Sequence, residues 1–164
     1  MKREMQWLNI SRRGLRTIGV LAGLALLAVL AQSVSLPTAA RAAVAVNVDL
    51  KEMTVVAVPA SVPAGDVTFN AVNSGTIPHE LVVLKTDISP ELLPARAADA
   101  TKVDEDAAGI ENLGEIEDSV LDVSGSTGTL TLDLAAGKYV LICNVSGHYK
   151  AGMFTAFTVT GAAA

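Results

Sequence analysis

The chain has 164 residues, a formal net charge of −5 and a single cysteine, Cys143. Six of its twelve basic residues lie at or before Arg41, whereas residues 43–164 hold six basic residues against 16 acidic residues. Such an acidic surface argues against nucleic acid as a partner, and it either favours a basic protein partner or serves solubility alone. One cysteine excludes an intramolecular disulfide, so the thiol must be either protected or used.

Residues 1–42 are predicted to be a secretory signal peptide. Five basic residues lie in residues 1–16, an almost entirely apolar segment follows from Thr17 to Leu36, and Ala40 and Ala42 fit an A-x-A cleavage site. We therefore expect a periplasmic or other extracytoplasmic protein, exported by the Sec route or by the twin-arginine route that residues 11–15 suggest. An uncleaved membrane anchor is the alternative, because the apolar segment is almost long enough to span a bilayer.

Residues 43–164 are predicted to be one all-β domain. Short alternating or wholly apolar segments, separated by turn residues, are typical of the strands of a sandwich or barrel. In chain order these segments are Val44–Leu50, Met53–Val58, Val67–Ala71, Leu81–Leu84, Leu130–Leu134, Tyr139–Cys143 and Phe154–Val159.

Residues 88–120 interrupt this pattern and are predicted to form an acidic, partly helical insertion. Pro94 suits the first position of a helix through the alanines that follow it. The acidic run from Asp104 to Asp118 is typical of a solvated segment. Four residues also match the spacing of a calcium-binding loop: Asp104, Asp106, Gly109 and Glu115. Calcium is the weaker interpretation, because Ala108 stands at the fifth position and cannot be a ligand.

Four potential metal ligands fall in two short segments of the domain. His79 precedes the apolar segment Leu81–Leu84. The other three potential ligands begin at the end of the predicted strand Tyr139–Cys143 and have the spacing C-x4-H-x4-M: Cys143, His148 and Met153. The domain contains no other histidine or cysteine, and only one other methionine. Because all four residues lie at the ends of predicted strands, we expect them to meet at one end of the domain.

The four residue types suit one copper ion better than any other metal. A thiolate and two imidazoles form a trigonal plane around type 1 copper, and a thioether gives a long, weak axial contact. Zinc is an alternative, but methionine is a poor zinc ligand and the second segment offers no fourth hard ligand. A buried cysteine with two incidental histidines and a core methionine is the alternative without a metal.

These segments resemble those of the cupredoxins, the family of type 1 blue copper proteins. Pro78-His79 before an apolar strand is similar to their first ligand segment. The segment Tyr139–Cys143, followed by Gly147-His148-Tyr149 and Gly152-Met153, is similar to their ligand loop, and its spacing is closest to the rusticyanin and sulfocyanin type. The resemblance covers residues 43–164 except the insertion. It implies a Greek-key β-sandwich with copper at one end and one-electron exchange through the exposed edge of His148.

Two residues depart from the cupredoxin pattern. Many members have Asn or Ser after the first histidine, where it ties the two ligand segments together, but this chain has Glu80. Two outcomes are expected for Glu80. Either its charge lies near the copper, favours Cu(II) and lowers the potential, or its side chain simply points into solvent. Proline is common two residues before the loop histidine, and this chain has Ser146 there. Neither departure removes a ligand.

The sequence therefore predicts a copper-dependent carrier of single electrons rather than an enzyme. An oxidase or nitrite reductase needs a second copper centre, and both histidines are already assigned. A periplasmic copper carrier is the main alternative, although such carriers favour exposed, methionine-rich sites. The third possibility is a structural sandwich without metal. We expect a monomer whose partner is a redox protein with a basic docking surface, and membrane association only if residues 1–42 are retained.

Overall fold

Two β-sheets and a small β-hairpin make up the described part of the molecule. The structure is a computed structural model that describes residues 42–161, so the predicted signal peptide lies outside the described residues except for its last residue. Within residues 42–161, no helix has the length and apolar character needed to cross a membrane. The all-β prediction is confirmed for this part of the chain.

The strands follow one another along the chain with short connections. Their bounds are β1 Val44–Lys51, β2 Thr54–Val58, β3 Ser61–Pro63, β4 Gly65–Asn73, β5 Leu81–Thr86, β6 Ala95–Arg96, β7 Asp99–Val103, β8 Ile110–Ile116, β9 Thr127–Leu134, β10 Gly137–Ile142 and β11 Phe154–Thr160. Two one-turn 3-10 helices, Pro90–Leu92 and Tyr149–Ala151, lie between them.

The two main sheets form a sandwich. One sheet has the strand order β2-β1-β4-β9, and the other has the order β3-β11-β10-β5-β8. Strand β1 pairs antiparallel with β2 and parallel with β4, whereas β10 pairs antiparallel with both β5 and β11. Consecutive strands thus pass repeatedly from one sheet to the other, which brings distant parts of the sequence together.

Alternating side chains of the strands fill the space between the sheets. In β1 every second residue from Val46 to Leu50 is fully buried, while the residues between them face solvent. This is the pattern of a strand with one face on a core, because successive side chains of a strand point to opposite faces. Phe69 of β4 and Phe157 of β11 meet edge to face with ring centroids 5.4 Å apart. Such an aromatic contact fixes the two sheets against each other.

The partly helical character predicted for residues 88–120 is wrong. Apart from the single turn Pro90–Leu92, the regular structure of this segment is the β6–β7 hairpin and β8, which pairs with β5 and extends the second sheet. Ala95 pairs with Val103 in the hairpin instead of continuing a helix from Pro94. The helix preference of a few alanines is only a few tenths of a kcal/mol per residue, so the contacts of the surrounding sheet decide the outcome.

The insertion also has a buried side, which the interpretation as a solvated segment did not anticipate. Leu93 and Val103 are buried, and Ile88 and Ile110 are packed beside them. Together they cover the outer face of β5 and β10, where the buried residues are Val82, Leu84, Val140 and Ile142. The insertion is therefore packed against the sandwich through a second hydrophobic cluster and exposes its acidic residues on the other side.

Three neighbouring strands bring the two predicted ligand segments together. Strand β5 begins at Leu81, two residues after His79, and β10 ends at Ile142, immediately before Cys143. Strand β11 begins at Phe154, immediately after Met153. Because β10 lies between β5 and β11 and is antiparallel to both, these three strand ends lie at the same end of the sheet.

Candidate metal centre

The side chains of His79, Cys143 and His148 converge at this end of the sandwich. Cys143 Sγ lies 3.3 Å from His148 Nδ1 and 3.9 Å from His79 Nδ1. The three potential ligand atoms all lie within 4.8 Å of one another. His79 and Cys143 are fully buried, whereas 8% of His148 is exposed. The site is therefore almost closed to bulk water, and His148 is the one residue of the three with any exposed surface.

Main-chain hydrogen bonds hold the ligand loop in a compact form. The N–H of Cys143 donates to the carbonyl of Met153 at 3.0 Å, and the N–H of Met153 donates to the carbonyl of His148 at 3.1 Å. Gly152, with φ of 101°, takes the left-handed conformation that reverses the chain after Tyr149–Ala151, and glycine adopts this conformation without steric cost. Met153 is fully buried in the same hydrophobic cluster as Cys143. The loop thus places Met153 beside Cys143 and His148.

Two polar residues that the sequence analysis did not single out hold the His79 segment. The amide of Asn73, fully buried at the end of β4, donates to the carbonyls of Ile77 and Leu121 at 2.8 and 2.9 Å. The N–H of His79 also donates to the Leu121 carbonyl, at 3.1 Å. Asn73 could have been noticed as a polar residue on the inward-facing side of an alternating strand, but its partners are not visible in the sequence.

Glu52 secures the same segment from the other side. Its carboxylate accepts hydrogen bonds from the main-chain N–H of Thr76 and from that of Ile77, the latter at 3.1 Å. The hydrogen bond from the main chain of Thr76 is the largest of the effects that lower the pKa of Glu52, to about 2. The carboxylate is therefore ionised at neutral pH and lies close enough to act on both histidines.

Burial governs the protonation of the three convergent groups. It raises the pKa of the Cys143 thiol to about 11, and it lowers the pKa values of His79 and His148. The main-chain N–H of Glu80, which donates to Cys143 Sγ at 3.2 Å, acts against this effect because it favours a thiolate. Both imidazoles are thus kept neutral, the form in which a ring nitrogen has a lone pair for a metal.

The departures from the cupredoxin pattern both have structural counterparts. Glu80 ties the two ligand segments together through its main chain, as the hydrogen bond to Cys143 shows. Its side chain is half-buried beside Glu115 and Glu117 rather than pointing freely into solvent. Burial, followed by the charge of Glu115, raises the pKa of Glu80 to about 7. Ser146 is exposed and donates to the Asp99 carboxylate at 2.7 Å, a hydrogen bond that proline could not make.

The convergent group fits a single first-row metal ion. Imidazole and thiolate ligands bind such ions at roughly 2.0–2.3 Å, which puts two ligand atoms of one ion roughly 3.5–4 Å apart. The two measured sulfur-to-nitrogen distances, 3.3 and 3.9 Å, lie close to this separation. In the part of the chain that the structure describes, no carboxylate joins the group as a fourth hard ligand. The donor set therefore favours copper over zinc.

The acidic residues proposed as a calcium loop are not brought together. Glu115 lies in β8 and is grouped with Glu80 and Glu117 rather than with Asp104 or Asp106. The main-chain N–H of Asp106 donates weakly to the Asp104 carboxylate, at 3.4 Å, within a turn. This arrangement lacks the convergent oxygen ligands that calcium requires.

Several known proteins have similar sequences or similar folds. The family model of the sulfocyanin (SoxE) domain matches residues 25–164. Sulfocyanin of Sulfolobus acidocaldarius is 28% identical over 99 residues, covering 57% of this chain and 46% of that protein, so the chain spans about half the length of this relative. Auracyanin B is 25% identical, with a TM-score of 0.52 over 73% of this chain and 91% of its own. Auracyanin from the photosynthetic bacterium Roseiflexus castenholzii shares the fold at 21% identity, with a TM-score of 0.50 over 73% and 99% of the two chains.

The fold and the convergent site define the molecule as a cupredoxin, a class of protein whose cofactor is one copper ion. Within that class, the chain belongs to the sulfocyanin family. The resemblance of the ligand loop to the rusticyanin and sulfocyanin type is thereby confirmed. The assignment of individual residues as copper ligands remains a prediction.

Proposed function

We propose that this protein is an exported type 1 blue copper protein that carries single electrons between redox partners. His79, Cys143 and His148 would supply the three strong ligands, and Met153 the weak axial one. The proposal rests on one observation: one thiol and two imidazoles converge in a buried site, in a chain that belongs to the sulfocyanin family. Copper, when bound, supplies the redox chemistry by changing between Cu(I) and Cu(II).

The protein's own residues keep the site rigid and dry. The loop hydrogen bonds between Cys143, His148 and Met153 fix the spacing of their main chains. The N–H of Glu80 supports the negative charge of a Cys143 thiolate. A site held in this way needs little rearrangement when its charge changes by one unit, which is the requirement of an electron carrier rather than of an enzyme that binds a substrate.

His148 is the proposed point of electron entry and exit. It is the one histidine of the site with any solvent exposure, since His79 is fully buried. Acidic groups lie around the site: the charge of Glu52 acts on both histidines, and that of Asp118 acts on Cys143. These charges support a redox protein partner with a basic docking surface and argue against nucleic acid.

Export and domain organisation complete the proposal. Residues 1–42 would act as a signal peptide, and residues 43–164 would be the copper-binding domain in the periplasm or another extracytoplasmic space. We expect a monomer, with membrane association only if the N-terminal segment is retained. Mass spectrometry of the protein purified from its own cells tests this part, since cleavage after Ala42 predicts an N-terminus at Ala43.

The copper assignment can be tested by visible and electron paramagnetic resonance spectroscopy of the protein titrated with Cu(II). One equivalent should give an intense visible absorption from the bond between copper and the Cys143 sulfur. Cys143→Ser should abolish this absorption while the far-ultraviolet circular dichroism of the β-sandwich persists. A colourless parent protein that binds Cu(I) tightly would favour the copper carrier instead, and retention of the colour in Cys143→Ser would refute the proposed ligands.

A further inference from the structure

The insertion touches the ligand loop at three points. Three loop residues, Asn144, Ser146 and Tyr149, make side-chain hydrogen bonds to the insertion. Asn144 directly follows Cys143, and Tyr149 directly follows His148. From this placement we propose that residues 88–120 act as a clamp that positions the copper ligands, with Asn144 as its central positioning residue. The inference rests on the proposed copper-binding function of the same loop.

Asn144 joins the loop to β7 through a side-chain amide whose oxygen and nitrogen both make hydrogen bonds. Its carbonyl oxygen accepts from the Val103 N–H at 2.7 Å, and its amide nitrogen donates to the Val103 carbonyl at 3.2 Å. The same nitrogen also donates to one carboxylate oxygen of Glu105. Asn144 is 2% exposed and Val103 is fully buried, so water cannot replace these bonds readily. Loss of the amide would leave buried main-chain groups of Val103 without partners, which is costly.

Tyr149 forms the second point of the clamp. Its hydroxyl accepts from the Leu93 N–H at 3.0 Å and donates to the Pro90 carbonyl at 2.7 Å. Its ring is buried in the hydrophobic cluster that the insertion forms with β5 and β10, and it contacts the Phe154 ring with centroids 5.3 Å apart. The residue next to His148 is thereby fixed to the start of the insertion by both polar and apolar contacts.

The third point is exposed and is expected to contribute less. The hydroxyls of Ser146 and Thr101 both donate to the Asp99 carboxylate, at 2.7 and 2.6 Å. These contacts, chiefly that with Thr101, lower the pKa of Asp99 to about 2, so the acceptor is ionised at neutral pH. Because competing water weakens exposed hydrogen bonds, we place the main positioning role on Asn144 and Tyr149.

The clamp explains how a loop at the edge of a sandwich can be rigid. The main-chain hydrogen bonds of Cys143, His148 and Met153 close the loop on itself but do not attach its outer side to the domain. The insertion provides that attachment on both flanks of the C-x4-H segment. Releasing it should leave the sandwich folded but allow Cys143 and His148 to take a wider range of positions.

The first test compares Asn144→Ala with the matched control Asn112→Ala. Asn112 donates to the other carboxylate oxygen of Glu105 at 2.5 Å and accepts from the Gly114 N–H at 2.9 Å, and neither partner belongs to the ligand loop. In metal-free full-length protein, Asn144→Ala should raise the hydrogen-exchange rates of residues 143–153 about tenfold or more, because the local opening becomes easier. Asn112→Ala should leave these rates within about twofold of the parent. Equal rates in both variants and the parent would overturn the clamp.

The copper-loaded proteins give an independent measure of positioning. Asn144→Ala should shift the visible absorption maximum and the copper hyperfine splitting and slow electron self-exchange, whereas Asn112→Ala should change none of them. Tyr149→Phe, which keeps the ring and removes only the hydroxyl, serves if Asn144→Ala fails to fold, and it should change the same observables in the same direction. Unchanged spectra and exchange rates in a folded Tyr149→Phe protein, together with a folded and unchanged Asn144→Ala protein, would refute the proposal.

A double substitution separates positioning from general destabilisation. Asn144→Asp alone places a second carboxylate against Glu105 and should disturb the loop. Combining it with Glu105→Gln exchanges the amide and the carboxylate, so the hydrogen bond between positions 144 and 105 re-forms in the opposite sense. The double variant should recover part of the parent spectrum and exchange protection, but not all of it, because a carboxylate at position 144 cannot donate to the Val103 carbonyl. A double variant no better than Asn144→Asp alone would show that the contact with Glu105 does not position the loop. A parent protein without blue colour would instead contradict the proposed function. The hydrogen-exchange rates of the metal-free proteins would still test whether the insertion positions the ligand loop.

Discussion

Met153 occupies a position where a weak ligand can tune a redox centre without holding it together. Its main chain is hydrogen-bonded to both Cys143 and His148, so the residue is placed by the backbone whatever its side chain contacts. The side chain is fully buried. A substitution of similar size should therefore alter the electronic surroundings of the metal more than the shape of the loop.

The role of Met153 predicts opposite shifts of potential in two variants. Met153→Leu removes a thioether donor, which costs Cu(II) more than Cu(I), and should raise the potential while the blue colour survives. Met153→Gln offers an oxygen donor that favours Cu(II), so this substitution should lower the potential. A tenfold change in the relative affinities of the two ions corresponds to ~59 mV, and we expect shifts of at least about that size.

Voltammetry combined with Cu(I) affinity measurements on the same two variants checks this prediction. An electron carrier should keep its Cu(I) affinity within about tenfold, because the axial contact is weak. Collapse of the affinity without opposite shifts of potential would support the copper carrier in place of the electron carrier.

At the level of elements, the two sheets approach closely where β8 of one meets β9 of the other. A Cβ atom added to Gly128 of β9 would lie 2.4 Å from Ile116 Cγ2 in β8. This methyl group is on a β-branched carbon and has few alternative positions. Gly137 of β10 makes a useful comparison, because a Cβ atom there would have no neighbour closer than 3.7 Å.

Substitution of these two glycines should therefore have different effects on stability. Gly128→Ala forces the β8–β9 contact apart and should lower the free energy of unfolding by about 1–3 kcal/mol. Gly137→Ala meets ordinary contact distances and should change it by less than about 1 kcal/mol in either direction. Urea denaturation of the metal-free proteins measures both values. Equal stability of the two variants would mean that the strands separate without cost.

The elements of the sandwich could be predicted from the sequence, whereas those of the insertion could not. Alternation in β1 and the apolar run of β5 reflect burial on one or both faces, which is a local property of the sequence. The insertion becomes β-structure because β8 pairs with β5 and Ala95 pairs with Val103, and these pairings depend on the rest of the fold. The alanine-rich sequence after Pro94 has only a local preference for helix, and this preference is weaker than the strand pairings.

The candidate site could also be predicted only in part from the sequence. His79, Cys143, His148 and Met153 could be selected because few residue types suit copper and each lies near the end of a recognisable strand, and the structure brings the first three together. The supporting residues could not be selected. Asn144 acts on Val103, 41 positions away, and Asn73 acts on Leu121, 48 positions away. Such pairs have no periodicity or spacing that would reveal them.

For the whole molecule, copper should act as a stabilising ligand of the folded state. Its proposed ligands come from segments more than sixty residues apart, which meet only after folding. An ion that binds only the folded state stabilises it by about 4 kcal/mol at a thousandfold excess over its Kd. For a domain of this size the Tm should rise by roughly 10–20 °C. Calorimetry with and without copper tests this, and Cys143→Ser should lose most of the increase.

The acidic surface predicts a second property of the whole molecule, its dependence on ionic strength. Electron exchange with a basic cytochrome should slow by about 10-fold or more between low and high salt, because screening removes electrostatic steering. An acidic cytochrome of similar potential is the control, and its rate should stay constant or rise with salt. Stopped-flow measurements that show the same salt response for both cytochromes would assign the acidic residues to solubility alone.

The place of β11 within its sheet has a consequence for biosynthesis. This strand, the last one described, lies between β3 and β10 and pairs with Ser61–Pro63 across almost a hundred residues of chain. While the chain is still emerging from the ribosome, the sheet lacks an internal strand, so the earlier strands have unpaired edges and cannot complete the core. The domain can therefore complete its fold only once its synthesis has passed Thr160, so its folding follows its synthesis rather than accompanying it.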